Sequence, residues 1–245
     1  MQFREPVWPE RSQPPLPGRA LYESPDLAES CLTNLDERQA RQALILLART
    51  SAEHAAARRL LEPALFRFYE VIAGIDAPRD TMIAIANAIP YPSFALAEAH
   101  AAVVGRILTT YAWGTAQRAA WLVTSSSLLS ALGRREEAPA AIEEAVTIRR
   151  ELAVARPDAF RPVLAGSLNN QSAFLSDLGR REEALAAIEE AVTIRRELAV
   201  ARPDAFRPDL AASLNNLVDA LEAVGQAAEA NSVRTEAAEI AESDE

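Results

Sequence analysis

His54 and His100 are the only imidazoles in the chain. An imidazole does acid–base or metal chemistry when another ligand or an orienting group stands at a fixed spacing, as in HExxH on a helix. Neither histidine has that setting, so each reads as a surface or packed helix residue. Ser125, Ser126 and Ser127 run consecutively. A nucleophilic serine needs a base within reach, and no such pattern surrounds these three, which read as small packing residues. Glu136-Glu137 and Glu143-Glu144 are paired carboxylates, but catalytic pairs need environments that push their pKa values apart. The same pairs return with the same arginine flanks at Glu182-Glu183 and Glu189-Glu190. They read as solvated faces. The eight glycines form neither GxGxxG nor a Walker phosphate loop, and Cys31 alone excludes an internal disulfide or a cysteine zinc site. No catalytic residue, cofactor or metal is expected. An enzyme reading would need an unrecognised site in residues 24–118.

The elements that carry these residues are set by an internal repeat. Leu132–Pro162 and Leu178–Pro208 are identical at 30 of 31 positions, at an offset of 46 residues. The one difference is Pro139 against Leu185. The phase continues: Leu164, Ser167, Leu168, Asn169 and Asn170 return as Leu210, Ser213, Leu214, Asn215 and Asn216, and Gly133, Gly179 and Gly225 share the spacing. There are three copies, the first and last imperfect. In the second, Leu164, Leu168, Leu175 and Leu178 recur at helical spacing. Gly179 then supplies the left-handed residue that ends a helix. A second helix starts near Arg180, with Ala184, Ala187, Ile188, Ala191, Val192, Ile194 and Leu198 as its apolar stripe. Arg202-Pro203-Asp204 breaks it.

Such a hairpin cannot bury both faces alone, and stacking copies solves this. In the third copy Asn231, Ser232 and Arg234 replace Leu185, Ala186 and Ile188. A polar outer face of that kind fits a terminal cap. Pro139 is expected to cost the first copy some stability.

The pattern Leu-Asn-Asn (168–170, 214–216), Leu175 or Leu221, Gly179 or Gly225, Glu183-Ala184, Ile188 and Ala191 resembles the tetratricopeptide repeat. The form is the long-period one of kinesin light chains and many actinobacterial proteins. The resemblance covers about residues 119–245, and it departs from the common period of 34 residues. It implies an all-α, right-handed helical-hairpin solenoid with an N-terminal helical segment. It also implies a noncatalytic scaffold whose first helices line a concave groove for a peptide or protein. That groove would show Val123 and Ser127 from copy one. Copy two would add Gly166, Asn169, Ala173, Ser176 and Asp177, and copy three Ala212, Asn215, Asp219 and Glu222. The side-chain amides of Asn169 and Asn215 both donate and accept, which suits an extended backbone. The positions that hold a carboxylate in some chaperone-binding members carry Val123, Ser127, Asn170, Ala212 and Asn216. With no cation there, a chaperone tail is not the expected partner.

Residues 1–23 are Pro-rich and read as a disordered leader, although Arg11, Pro14 and Pro17 also fit a proline-rich ligand pattern. Residues 24–118 read as helical, with a candidate degenerate repeat. Thr50 and Glu53 have capping-box spacing, and Pro92 precedes an amphipathic run from Ala95 to Leu108. Trp113 and Trp121 are expected to bury where this region meets the array. The net charge is −10, and residues 209–245 hold nine acidic residues against Arg234 alone. That sign argues against nucleic acid and for a partner with basic residues steered to the third copy. All basic residues are arginine, and with the alanine bias this reads as the codon usage of a GC-rich bacterial genome. No uncharged apolar run approaches the ~20 residues of a membrane helix, so a cytoplasmic protein is the default expectation. A second reading, a regulatory fragment of a multidomain signalling ATPase, rests on the helical spacers that precede such arrays.

Overall fold

The computed structural model describes residues 78–89 and 97–242. The chain divides into two compact units, residues 1–99 and 100–245. Of the first, helix α1 (Arg79–Ala88) is described, with Met82, Ile85 and Ala86 buried along one side. His54, Cys31, the Pro-rich leader and the capping box at Thr50 lie outside the described residues.

Helix α2 (Ala97–Thr109) carries Val103, Val104 and Ile107 fully buried. Six helices follow: α3 (Ala116–Ala131), α4 (Glu137–Ala155), α5 (Pro157–Asp177), α6 (Arg181–Ala201), α7 (Pro203–Ala223) and α8 (Ala227–Glu242). Each packs on the next, as three successive antiparallel hairpins, and α5 also touches α7.

Two turn chemistries repeat along the array. Inside each hairpin the chain turns at Gly133, Gly179 or Gly225, with φ of 74°, 74° and 83°. At the second turn the Gly179 N–H donates to Ser176 O at 2.9 Å and the Arg180 N–H to Leu175 O at 2.9 Å. These are the two bonds of a Schellman stop, and the left-handed residue between them favours glycine. Between hairpins the turn is a single residue. Arg156 (φ −143°, ψ 74°) ends α4 and precedes α5, and Arg202 (φ −145°, ψ 79°) does the same for α6 and α7. Proline disfavours helical geometry in the residue before it, while Pro157 and Pro203 suit the first helical position, whose N–H has no partner in any case. Arg156 stacks over Phe160 at 4.8 Å and Arg202 over Phe206 at 4.9 Å.

The core follows the repeat. Ala138, Ala184 and Ala230 are at most 1% exposed, and Ile142 and Ile188 are fully enclosed. Ala184 and Ala187 pack on Leu175 of the preceding helix. Small side chains at these points let two helix axes approach, and buried leucines such as Leu168 and Leu214 each contribute about 1.5–3 kcal/mol of apolar burial. At the end of the array Arg234 occupies the place of Ile188 and is exposed, as are Asn231 and Ser232.

Pro139 does not interrupt α4. Helix α4 starts at Glu137, whereas the equivalent of Arg181, where α6 starts, is Arg135. Proline thereby falls in the first turn, where its missing N–H forfeits no helical bond. Trp113 departs from expectation: it is 60% exposed, in the turn between α2 and α3, where Gly114 has φ of 80°. The left-handed turn carries the indole out of the core and over the Arg118 guanidinium, 5.8 Å from the ring centre. Trp121, on α3, is half-buried.

Candidate functional site

Of the residues first considered for catalysis, the three serines, His100 and the paired glutamates are described. Ser126 Oγ donates to Val123 O at 2.8 Å and Ser127 Oγ to the same carbonyl at 3.1 Å, which satisfies both hydroxyls within α3. His100 is buried, and desolvation lowers its pKa, so it packs as a neutral ring. Among the described residues no group of three His, Cys, Asp or Glu side chains could hold a metal. None of the described helices is long and apolar enough to cross a membrane.

The paired glutamates are exposed but engaged. Arg134 binds Glu137 through two hydrogen bonds of 2.6 Å, and Arg180 binds Glu183 in the same way. In both, the arginine hydrogen bond first, then its charge, holds the carboxylate below its ordinary pKa. Between copies, Arg150 on α4 grips Glu190 on α6, and Arg196 on α6 grips Glu236 on α8 at 2.8 and 2.6 Å. The fork geometry matches a carboxylate at two points. Arg118 on α3 bridges to Glu144 on α4, and Arg161 on α5 to Glu197 on α6. These pairs escaped sequence reading because their partners lie 26 to 40 residues apart. The exact 46-residue recurrence of arginine and glutamate was the available signal.

The residues expected to line a groove lie on the first helix of each hairpin. Val123 and Ser127, on α3, are half-buried, and Val123 packs against the core formed with α4. Ala173 and Ser176, on α5, are exposed, as are Asn215, Asp219 and Glu222, on α7. The structure joins α5 to α7 through Asn169. Its Oδ1 accepts from Ser213 Oγ at 3.0 Å and from Asn216 Nδ2 at 3.0 Å. Its side-chain carbonyl oxygen thus fastens two helices. Glu222 is bound by Arg234, which also reaches Asn231.

Two cations lie against these helices that the sequence did not place there. Arg149 of α4 donates through Nη1 to Val163 O at 2.7 Å and to Ser167 Oγ, both on α5. Arg195 of α6, one repeat later, donates through Nη1 to Asp209 O of α7. Burial lowers the pKa of both guanidinium groups, although the Asp209 charge partly offsets this for Arg195.

This succession of hairpins, with glycine stops and close-packed alanines, is the architecture of a tetratricopeptide array. Residues 164–202 match the tetratricopeptide repeat model, and residues 109–154 match the model of anaphase-promoting complex subunit 5. Against curated protein sequences the chain has no match. Among solved structures it is similar to a kinesin light chain with nearly identical TPR-like repeats from Podosopora anserina. There the TM-score is 0.60 at 19% identity, over 83% of this chain and 96% of that one. BtubC (BKLC) from P. vanneervenii gives 0.59 at 15% identity, over 93% and 89%. A Rap protein complexed with competence and sporulation factor gives 0.50 at 15% identity, over 90% of this chain and 60% of that one. At such identities the likeness is one of fold. Residues 164–202 thus carry a tetratricopeptide repeat, and the array shares its fold with kinesin-light-chain-like repeat structures.

Proposed function

We propose that residues 116–242 form a noncatalytic scaffold that binds a protein or peptide along the face of α3, α5 and α7. The observation that carries this reading is the exposed polar row Ser176, Asn215 and Asp219 on helices whose other sides are sealed in the core. Asn215 offers a donor and an acceptor to a backbone of any sequence. The Rap protein of similar fold is complexed with competence and sporulation factor. The partner carries basic residues where it meets the third copy. Asp219 and Glu229 are exposed there, while Glu222 and Glu236 already hold arginines.

The test is capture of partners from a native lysate by the wild type, by Asn215→Arg/Asp219→Arg, and by Glu189→Arg on the exposed side of α6 as a control. The expected result is a protein retained by wild type and control, lost from the double variant, and released by added salt. Equal capture by all three would sink the proposed face. Capture insensitive to salt would remove the basic-partner reading.

A further inference from the structure

Among the described residues four large apolar side chains are exposed, and all four stand toward one edge of the array. Trp113 lies in the turn between α2 and α3, Val154 (87% exposed) in the last turn of α4, Val163 near the start of α5 and Val200 (86%) in the last turn of α6. Because successive helices run antiparallel, the ends of α4 and α6 and the starts of α5 and α7 fall on the same side. The Arg161–Glu197 ion pair joins the two turns there. The opposite edge, at Gly133, Gly179 and Gly225, exposes no large apolar side chain.

Val154 and Val200 open two identical stretches. Residues 154–159 and 200–205 both read Val-Ala-Arg-Pro-Asp-Ala, and every residue in both is exposed. The stretches are held from beneath: Arg156 and Arg202 stack on Phe160 and Phe206, and Phe206 packs with Ala153 on the main core. A valine fixed on such a turn has no way to withdraw from water, which marks a contact surface. The charges here also differ from those nearby. Arg150 and Arg196, like Arg134 and Arg180, are committed to glutamates of the chain itself. Arg156, Asp158, Arg202 and Asp204 form no ion pair among the described residues.

We propose that this edge docks a second copy of the chain, as a dimer about a twofold axis. Each chain offers a cation and an anion two residues apart, and offers them twice. With the two edges antiparallel, Arg156 faces the partner's Asp204 and Asp158 faces the partner's Arg202, and the axis repeats both contacts. A twofold interface has to be complementary to itself. Equal charges in alternation meet that condition, whereas a surface of one sign repels its own copy. The chain as a whole carries −10, but these four charges sum to zero, so two copies approach here with little repulsion. Val154 and Val200 then lose their water against each other, between the charge pairs. Ser176, Asn215 and Asp219 lie toward the other ends of α5 and α7. The dimer therefore goes beyond the scaffold reading and does not depend on it.

Sedimentation velocity of the full chain over a concentration series reads the association. The wild type is expected to pass from one chain to two across the micromolar range, as suits an interface at the small end of the size classes. Val154→Asp/Val200→Asp sets carboxylates face to face in place of the valines and should weaken association about a hundredfold or more. Arg156→Asp/Arg202→Asp makes the edge wholly acidic, and Asp158→Arg/Asp204→Arg makes it wholly basic. Each should stay a single chain when alone, and an equal mixture of the two should dimerise. That recovery keeps the test sound if either substitution disturbs its turn. A wild type that remains a single chain throughout would overturn the proposal. So would a dimer unchanged by the valine substitutions, or charge variants that do not recover on mixing. Capture from lysate by the Asn215 and Asp219 variants concerns the other ends of the helices, so either reading can fail alone.

Discussion

Residues 132–162 and 178–208 differ at one position in 31, and their structures differ in proportion. With Pro139 the helix spans 19 residues from Glu137; with Leu185 it spans 21 from Arg181. Nearly everything else repeats: the glycine stop, the Arg-to-Glu clamp on the first turn and the arginine stacked on phenylalanine. The proline acts on where the helix begins, not on whether it forms. The Arg149 and Arg195 environments teach the complementary lesson. There the two residues are the same, and the difference comes from neighbours outside the identical stretch, Val123 against Asn169. Local geometry follows local sequence, while polar partnerships follow the next copy.

Substitutions made in both copies test that equivalence. The largest effect is expected for Ala184→Trp or Ala138→Trp. Each replaces an alanine 1% exposed, and each should lower stability by about 1–3 kcal/mol or more in urea unfolding. A loss in one copy alone would mean the two contacts are not alike. Gly179→Val and Gly133→Val force a β-branched residue to φ of 74°, at a cost of about 1–3 kcal/mol, equal in both copies. Unchanged melting would show that the turn escapes the left-handed geometry. Leu185→Pro converts the second copy to the first. If the helix start moves to Glu183, as it did at Glu137, the cost stays well under the ~3 kcal/mol of an interior proline. A loss of the full amount would show that α6, unlike α4, cannot shorten. The smallest effect belongs to Arg196→Ala and Arg150→Ala, about 0.2–1 kcal/mol each and weaker in salt, since both bridges are exposed. A salt-independent loss of several kcal/mol would mean the inter-copy bridges act as more than surface pairs.

The sequence made the array legible because period, glycine and alanine all answer to backbone geometry. Gly133, Gly179 and Gly225 end helices wherever they stand, and Ala184 and Ala191 mark close approach. The single-residue turns at Arg156 and Arg202 were half visible, as a break before proline. Less could be read of the candidate site. Whether Asn169 faces a ligand or Ser213 depends on a helix 44 residues away. Arg149 and Arg195 carry no sequence signal of burial, yet each donates to the helix that follows its own. Trp113 was misjudged because its hydrophobicity pointed inward while the Gly114 turn pointed out.

The period of 46 residues also bears on how the chain reaches this state. From α3 to α8 each helix packs on its sequence neighbour, so few long loops must close and folding starts from local encounters. Yet the second helices of the first two hairpins carry the same side chains from Ala140 to Ala155 and from Ala186 to Ala201. A growing chain therefore meets two nearly equivalent docking faces, and a hairpin seated on the wrong one still buries its leucines. What separates right from wrong lies where the copies disagree: along the first helices, where Val123 stands against Asn169 and Trp121 against Ser167, and at Pro139 against Leu185. Those residues serve as registration marks, and they make the imperfection of the repeat a condition of its fidelity.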